Sequence, residues 1–369
     1  MTLLSNRYAQ CQKWLENAWY KDQFIGMWLM PFGFLFADVV RFRKFLYRLG
    51  LLKSTRLPVP VIVIGNITVG GTGKTPLIIW MANWLKTLGY KPGIISRGYG
   101  GQVDSWPQSV STDSSAALVG DEALVLAKQT GCPVVVGPRR VEAAIHLLRE
   151  HACTILLSDD GLQHYALRRD IEIAVIDGER RFGNGYCLPA GPLREPISRL
   201  QSVDLIIVNG EKYEDNEYAM QLIGNTAVNL VTGKQIPLSQ FSDSPCHALA
   251  GIGNPQRFFK HLAAHGIASR KQSFPDHYAF RHGDIVFDDD QPVLMTEKDA
   301  VKCAAFASKQ HWYVPVTASP ELAFTEQLRR LVKKHDILNT SAIFITINRR
   351  NTSERVLTHV CLMTELSLD

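Results

Sequence analysis

A glycine-rich turn set between an apolar strand and a helix constrains this chain more than any other feature. The turn is Gly70-Gly71-Thr72-Gly73-Lys74-Thr75, with the apolar run Val59–Ile64 before it and the helical pattern Leu77–Leu88 after it. A buried strand feeding a helix through a short turn opens a parallel βαβ unit, which needs neighbouring strands and helices on both faces. The turn also has a chemical meaning. Its backbone N–H groups and the helix N-terminus converge on one point, which suits a phosphate. In such a loop Thr68, Val69, Gly70, Gly71, Thr72 and Gly73 surround the phosphates, Lys74 reaches the β- and γ-phosphates, and Thr75 offers its hydroxyl to Mg²⁺. The general spacing GxxxxGK[ST] would put a glycine where Thr68 stands, and Gly70-Gly71 supply the tight turn instead. Pro76 is tolerated in a first helical turn, where its missing N–H has no partner to lose.

Further strands are expected at Pro92–Ser96, Val134–Val136, Thr154–Leu157, Ile171–Ile176 and Leu205–Val208, with helical patterns between them. Several lack a period-2 alternation, as strands covered on both faces do. The reading is an α/β protein with a P-loop-type, doubly wound, mostly parallel sheet. A second, smaller α/β block follows near Ala248–Ile252, Val293–Met295 and Trp312–Val316. The expected divisions are an N-terminal segment 1–58, a P-loop core 59–225, a smaller domain 226–342 and an extension 343–369 to which no role is assigned.

Thr154–Gly161 reads TILLSDDG, an apolar strand that ends in Asp159 and Asp160. A strand of this kind beside the loop strand brings a carboxylate to Mg²⁺, directly or through water. Gln163 and His164 follow closely. Gly120-Asp121-Glu122 opens the helical stretch Ala123–Gln129; acids there stabilise a helix N-terminus, and one of them is also a candidate general base. Ser96-Arg97-Gly98-Tyr99-Gly100 follows a strand at the sheet edge where such folds take ligands, with Arg97 as a phosphate contact. Phe274-Pro275-Asp276-His277-Tyr278 is either a structural turn or half of a base–orienter pair. Thr296-Glu297-Lys298-Asp299 does not match the guanine-recognition pattern NKxD, because its lysine is third and not second.

The N-terminus carries the chain's charge asymmetry. Residues 1–58 contain nine Lys/Arg and three acids, while the whole chain of 369 residues has a formal charge of +5. Phe24–Ala37 is an uncharged run of about 14 residues, short for a membrane span and interrupted by Pro31, which is expected to break a helix there. Aromatic residues flank the run and Arg41, Arg43, Lys44 and Arg48 follow it, which suits a segment at a membrane interface. The alternative is a helical hairpin packed on the protein's own core. No nucleic-acid-binding module accompanies this basic stretch. No cleavable signal peptide is read, and the seven scattered cysteines show no zinc spacing, so reduced thiols in a cytosolic compartment are expected.

Three readings compete: a phosphotransferase with an alcohol acceptor, a membrane-associated regulatory P-loop ATPase, or a nucleotide-dependent membrane scaffold without catalysis, which would not need Gly120-Asp121-Glu122 or His277. The deviant-loop ATPases carry a lysine where Val69 stands, which counts against the second. The segments GNITVGGTGKTP (65–76), SRGYG (96–100), VGDEALVLA (119–127), DDGLQH (159–164), LPAGPLREP (188–196), AGIGNPQRFF (250–259), FPDHYAF (274–280) and TEKDAVK (296–302) stand in the order of one family. The chain resembles the tetraacyldisaccharide 4′-kinases of Gram-negative bacteria. That resemblance implies transfer of the ATP γ-phosphate to the 4′-hydroxyl of an acylated disaccharide 1-phosphate in lipid A biosynthesis, at the cytoplasmic face of the inner membrane. It implies Asp121 as the catalytic carboxylate with His277 as its partner, Lys74 and Thr75 as the phosphate and Mg²⁺ pair, and Asp159 and Asp160 in the metal motif. Tyr99, Glu122, Gln163 and His164 fall near the site. Phe24–Ala37 matches the family's hydrophobic helix. Oligomeric state is not implied.

Overall fold

The computed structural model describes residues 15, 18–20, 28–101 and 105–335. The extension 343–369 and residues 24–27 of the N-terminal apolar run lie outside the described residues. Fifteen strands are described: β1 (Val61–Gly65), β2 (Pro92–Ser96), β3 (Gln108–Val110), β4 (Val134–Val136), β5 (Ile155–Asp159), β6 (Ile171–Asp177), β7 (Leu205–Asn209), β8 (Glu217–Ile223), β9 (Thr226–Asn229), β10 (Gln235–Pro237), β11 (Cys246–Ala250), β12 (Ser269–Ser273), β13 (Val293–Thr296), β14 (His311–Val314) and β15 (Thr317–Pro320).

Nine of them form one sheet in the order β15-β8-β7-β6-β1-β5-β2-β4-β3. The inner seven, β8 to β4, are parallel, and β15 and β3 close the two edges antiparallel. All five residues of β1 are buried, as are those of β2, β5 and β7. These runs fit strands covered on both faces. The helix Lys74–Thr87 covers one face, with Leu77, Ile78, Met81 and Leu85 in a core shared with Leu124 and Leu126 from the helix Asp121–Thr130. The helix Arg140–Glu150 covers the other through Ala143, Ala144 and Leu147.

Six strands form a second sheet, β10-β9-β14-β13-β11-β12, parallel from β14 to β12. The expected 226–342 block does not stay together. After β14 the chain returns to the first sheet, where β15 pairs with β8 and residues 322–335 form a helix. Phe324, Leu328 and Val332, four residues apart, bury one helical stripe in the first sheet's core.

The N-terminal segment corrects the expectation for Pro31. That residue sits at the very start of a 19-residue helix, Met30–Arg48, and does not break it. Gly33 and Ala37 are the buried points of this helix, and a Cβ on Gly33 would stand 2.9 Å from the Ala190 Cβ. Phe32, Phe34, Leu35, Val39, Phe42, Phe45 and Leu49 are each more than half exposed. No described helix is long and apolar enough to cross a membrane. The five cysteines among the described residues are free and buried.

Candidate active site

The phosphate loop leaves β1 at Gly65 and enters the helix at Lys74, with Gly73 as the N-cap at φ 98°. Only glycine fits there, because a Cβ would stand 2.6 Å from Asn209 Nδ2, and that amide donates to Thr72 O at 3.1 Å. Thr68 forms an antiparallel bridge with Leu193, and Val69 N donates to Pro192 O at 2.8 Å. The loop's opening is therefore stitched to the LPAGPLREP segment by backbone pairing, which explains why the chain needs no glycine at 68. Lys74 Nζ donates to Asn66 Oδ1 at 3.1 Å and lies 3.4 Å from Asp160 Oδ1.

β5 lies beside β1 and delivers the two carboxylates next to the loop. Asp159 accepts from Ser96 Oγ at 2.9 Å, and the buried Arg140 guanidinium holds its carbonyl at 3.0 Å. Burial, then the nearby Glu122 and Asp160 charges, push the Asp159 carboxyl up to about 7. Asp160 goes the other way. Burial alone would raise it, but Lys74 and Arg194, whose Nη1 is 2.8 Å away, hold it well below the usual carboxylate range.

Asp121 opens its helix on the first sheet's side and is buried. His277 Nδ1 is 3.2 Å from Asp121 Oδ2, a contact between residues 156 apart in the chain. His277 has φ 58°, and its own N–H bonds Asp276 Oδ1 at 3.0 Å, so a local turn aims the ring. Tyr99 packs on that ring with centroids 4.6 Å apart. Burial alone would raise the Asp121 carboxyl, yet the His277 bond and the Lys298 and Lys302 charges hold it below its ordinary value. Burial would lower His277, and the bond to Asp121 turns the net shift upward.

The interface carrying this pair is ionic. Lys298, from the helix Glu297–Cys303, bonds Glu122 at 3.0 Å and Asp276 at 3.1 Å. Lys302 Nζ is 3.8 Å from Asp121 and 2.8 Å from Asp299. Gln129 also bonds Glu297. On the loop's side, Gly253 from the second sheet approaches Gly71, and Arg180 donates to the Gly253 carbonyl at 2.9 Å.

A cleft of about 950 Å³ runs between the two sheets. Val69, Gly70 to Thr75, Arg97, Tyr99, Glu122, Asp159, Asp160 and His277 line it. Four expected residues do not. Thr68 is buried in its bridge, Asp121 stands behind His277, and Gln163 braces the loop's base, bonding Asn66 O at 3.2 Å and Glu195 at 2.7 Å. His164 is held down to about 4 by burial, then by the Arg140 charge. The sequence reading passed over Asn66, Arg140, Arg194, Asn209, Lys298 and Lys302. Asn209 and Asn66 had a local signal, a polar residue at the end of an apolar strand, and Arg194 and Lys298 lie inside segments already singled out.

A family model described as Tetraacyldisaccharide-1-P 4′-kinase matches residues 25–333. A tetraacyldisaccharide 4′-kinase of Nitrosococcus oceani is 52% identical over 316 residues, covering 86% of this chain and 93% of that protein. Its counterpart in Methylobacillus flagellatus is 48% identical, covering 87% and 98%. Among solved structures, LpxK from Aquifex aeolicus, an "apo" form in complex with ATP, superposes with a TM-score of 0.72 at 28% identity, covering 84% of this chain and 99% of that one.

Proposed function

The chain belongs to the tetraacyldisaccharide-1-P 4′-kinase family, and from that membership we infer that it transfers the γ-phosphate of ATP to the 4′-hydroxyl of a tetraacyldisaccharide 1-phosphate in lipid A assembly. The observation that carries the mechanism is one cleft lined by both the phosphate loop and His277, with Asp121 bonded to the ring from behind. The relatives named as kinases do not favour the regulatory-ATPase alternative.

The loop's N–H groups and Lys74 orient the triphosphate, with Arg97 at the mouth. The acceptor hydroxyl gives its proton to the Asp121–His277 pair as it attacks the γ-phosphorus and the bridging oxygen leaves with ADP. Lys298 and Lys302 keep Asp121 ionised for that role. The walls come from two sheets, so bringing them together also excludes water that would otherwise accept the phosphate.

The residues present fit Mg²⁺. Asp159 is a buried carboxyl crowded by other acids, Asp160 adjoins it, and the Thr75 hydroxyl lines the same cleft. These are hard oxygen donors, and no group of three His, Cys, Asp or Glu among the described residues could cage a metal alone. That is the pattern of a magnesium held by one or two carboxylates plus nucleotide phosphates. When bound, Mg²⁺ would neutralise charge on the transferring phosphate.

The helix Met30–Arg48 is the proposed membrane contact, at the cytoplasmic face of the inner membrane. Its six exposed large apolar side chains, from Phe32 to Phe45, would each gain roughly 1.5–3 kcal/mol from full burial, with partial insertion giving less. Incubation with γ-labelled ATP and an acylated disaccharide 1-phosphate tests the activity. Label at the 4′ position is expected; rapid release of free phosphate without acceptor labelling would overturn it. For the membrane contact, Leu35→Ser with Phe42→Ser should lower recovery with membranes while leaving ATP binding intact.

A further inference from the structure

At the far end of the Met30–Arg48 helix, away from the cleft, a second pocket opens. It has a volume of about 180 Å³ and is lined by Lys44, Tyr47, Arg48, Ser54, Tyr165, Arg168 and Arg169. Four of the seven are cations and none is an acid. The two carboxylates beneath are already taken. Glu172 pairs with Arg199 at 2.6 Å and Arg169 at 3.4 Å, and Glu195 accepts from Tyr165 at 2.5 Å. Arg169 is further committed to the Gly161 carbonyl and the face of Tyr165.

The remaining cations are not neutralised. Among the described residues, Lys44 bonds only the hydroxyl of Ser202, at 2.9 Å, and no ion pair engages Arg48 or Arg168. Burial, then the Arg199 charge, lowers Lys44, against the pull of Glu195 and Glu172. Tyr47 and Tyr165, with rings 5.8 Å apart, form an aromatic wall.

The surroundings identify the anion. Phe42, Phe45, Leu49 and Leu51 flank this end of the helix, each more than half exposed. A soluble phosphate has no use for such a border, whereas a phospholipid presents acyl chains and a phosphodiester side by side. We propose that Lys44, Arg48 and Arg168 bind the phosphodiester headgroup of an anionic phospholipid, a site separate from the catalytic cleft that fixes how the enzyme lies on the bilayer. This rests on the reading of the helix as a membrane contact.

The test uses the full chain and sedimentation with vesicles of phosphatidylcholine alone or phosphatidylcholine with phosphatidylglycerol. The wild type should bind the mixed vesicles more tightly. Arg48→Ala with Arg168→Ala should weaken that binding about thirtyfold, at roughly 1 kcal/mol per basic residue, and leave binding to neutral vesicles unchanged. Arg48→Lys with Arg168→Lys should restore most of it. The KM for the acylated disaccharide 1-phosphate in neutral detergent should not move in either variant. A raised KM there, with unchanged vesicle binding, would make the pocket a subsite for the substrate's own phosphate and overturn the proposal. Equal binding of wild type and alanine variant to the mixed vesicles would overturn it too. A wild type that binds neither vesicle would instead remove the membrane reading beneath it.

Discussion

The two walls of the cleft are built in opposite ways. The phosphate loop is held by contacts within the first sheet's unit, to the loop's own backbone: a bridge at Thr68, a glycine cap at Gly73, and the Asn209 amide on Thr72. The opposite wall is held at a distance. Asp121 comes from one sheet's helix and His277 from the other sheet, and long side chains of Lys298 and Lys302 bind the two parts together. The first wall's bridge, cap and amide contacts all lie within the first sheet's own unit. The second exists only while the two sheets are docked, so the nucleotide-holding and transfer roles proposed above rest on different sets of contacts.

Substitutions can break that separation or sharpen it. The largest effect is expected from Asp121→Ala, which should lower kcat by about 10²–10⁴-fold with ATP affinity nearly unchanged; equal loss of both in a binding assay would mean the walls are not independent. Lys298→Ala leaves Glu122 and Asp276 facing each other without their shared cation. A displacement of the His277 wall of about 1 Å would cost on the order of a hundredfold in kcat, again without weakening ATP, as isothermal titration would report. Asn209→Ala should do the reverse. It strips a buried carbonyl of its partner at about 1–3 kcal/mol, so the KM for ATP should rise by about tenfold while the pH profile stays put. The smallest effect is a displacement of that profile. The pair accepts a proton only once it has lost its own, so kcat/KM should rise with pH through an apparent value above the ordinary imidazole range, where Asp121 holds His277. Asp121→Asn removes the charge that raises the imidazole, so the acid limb should move to lower pH. An unmoved limb would detach the titration from this pair.

The same division explains what could be read from the chain. β1, the loop, and the helix Lys74–Thr87 are contiguous, and their signal is local: a buried run, glycines, then a lysine at a helix start. β5 with its terminal carboxylates is equally local. The contact between Asp121 and His277 is not, because nothing in either segment's own physics requires the other. Resemblance to a family, not spacing, joined them. Non-local pairing also defeated the expected 226–342 block. Ala318 and Phe324 bury in the first core only because β15 finds β8 about a hundred residues back along the chain. Pro31 misled for a smaller reason: a proline stops a helix from inside but is welcome at its start, and where the helix starts decides which applies.

One contact between the walls has no side chain in it. Gly253 rests against the backbone of Gly71, so close that a Cβ would stand 2.7 Å from the Gly71 nitrogen. At this point the sheets meet as bare backbone, and nothing need change rotamer for them to tilt. The contact is a plain bearing, seated in the loop that grips the phosphates. A methyl group at 253 would collide with the Gly71 nitrogen and act as a shim that holds the two walls apart.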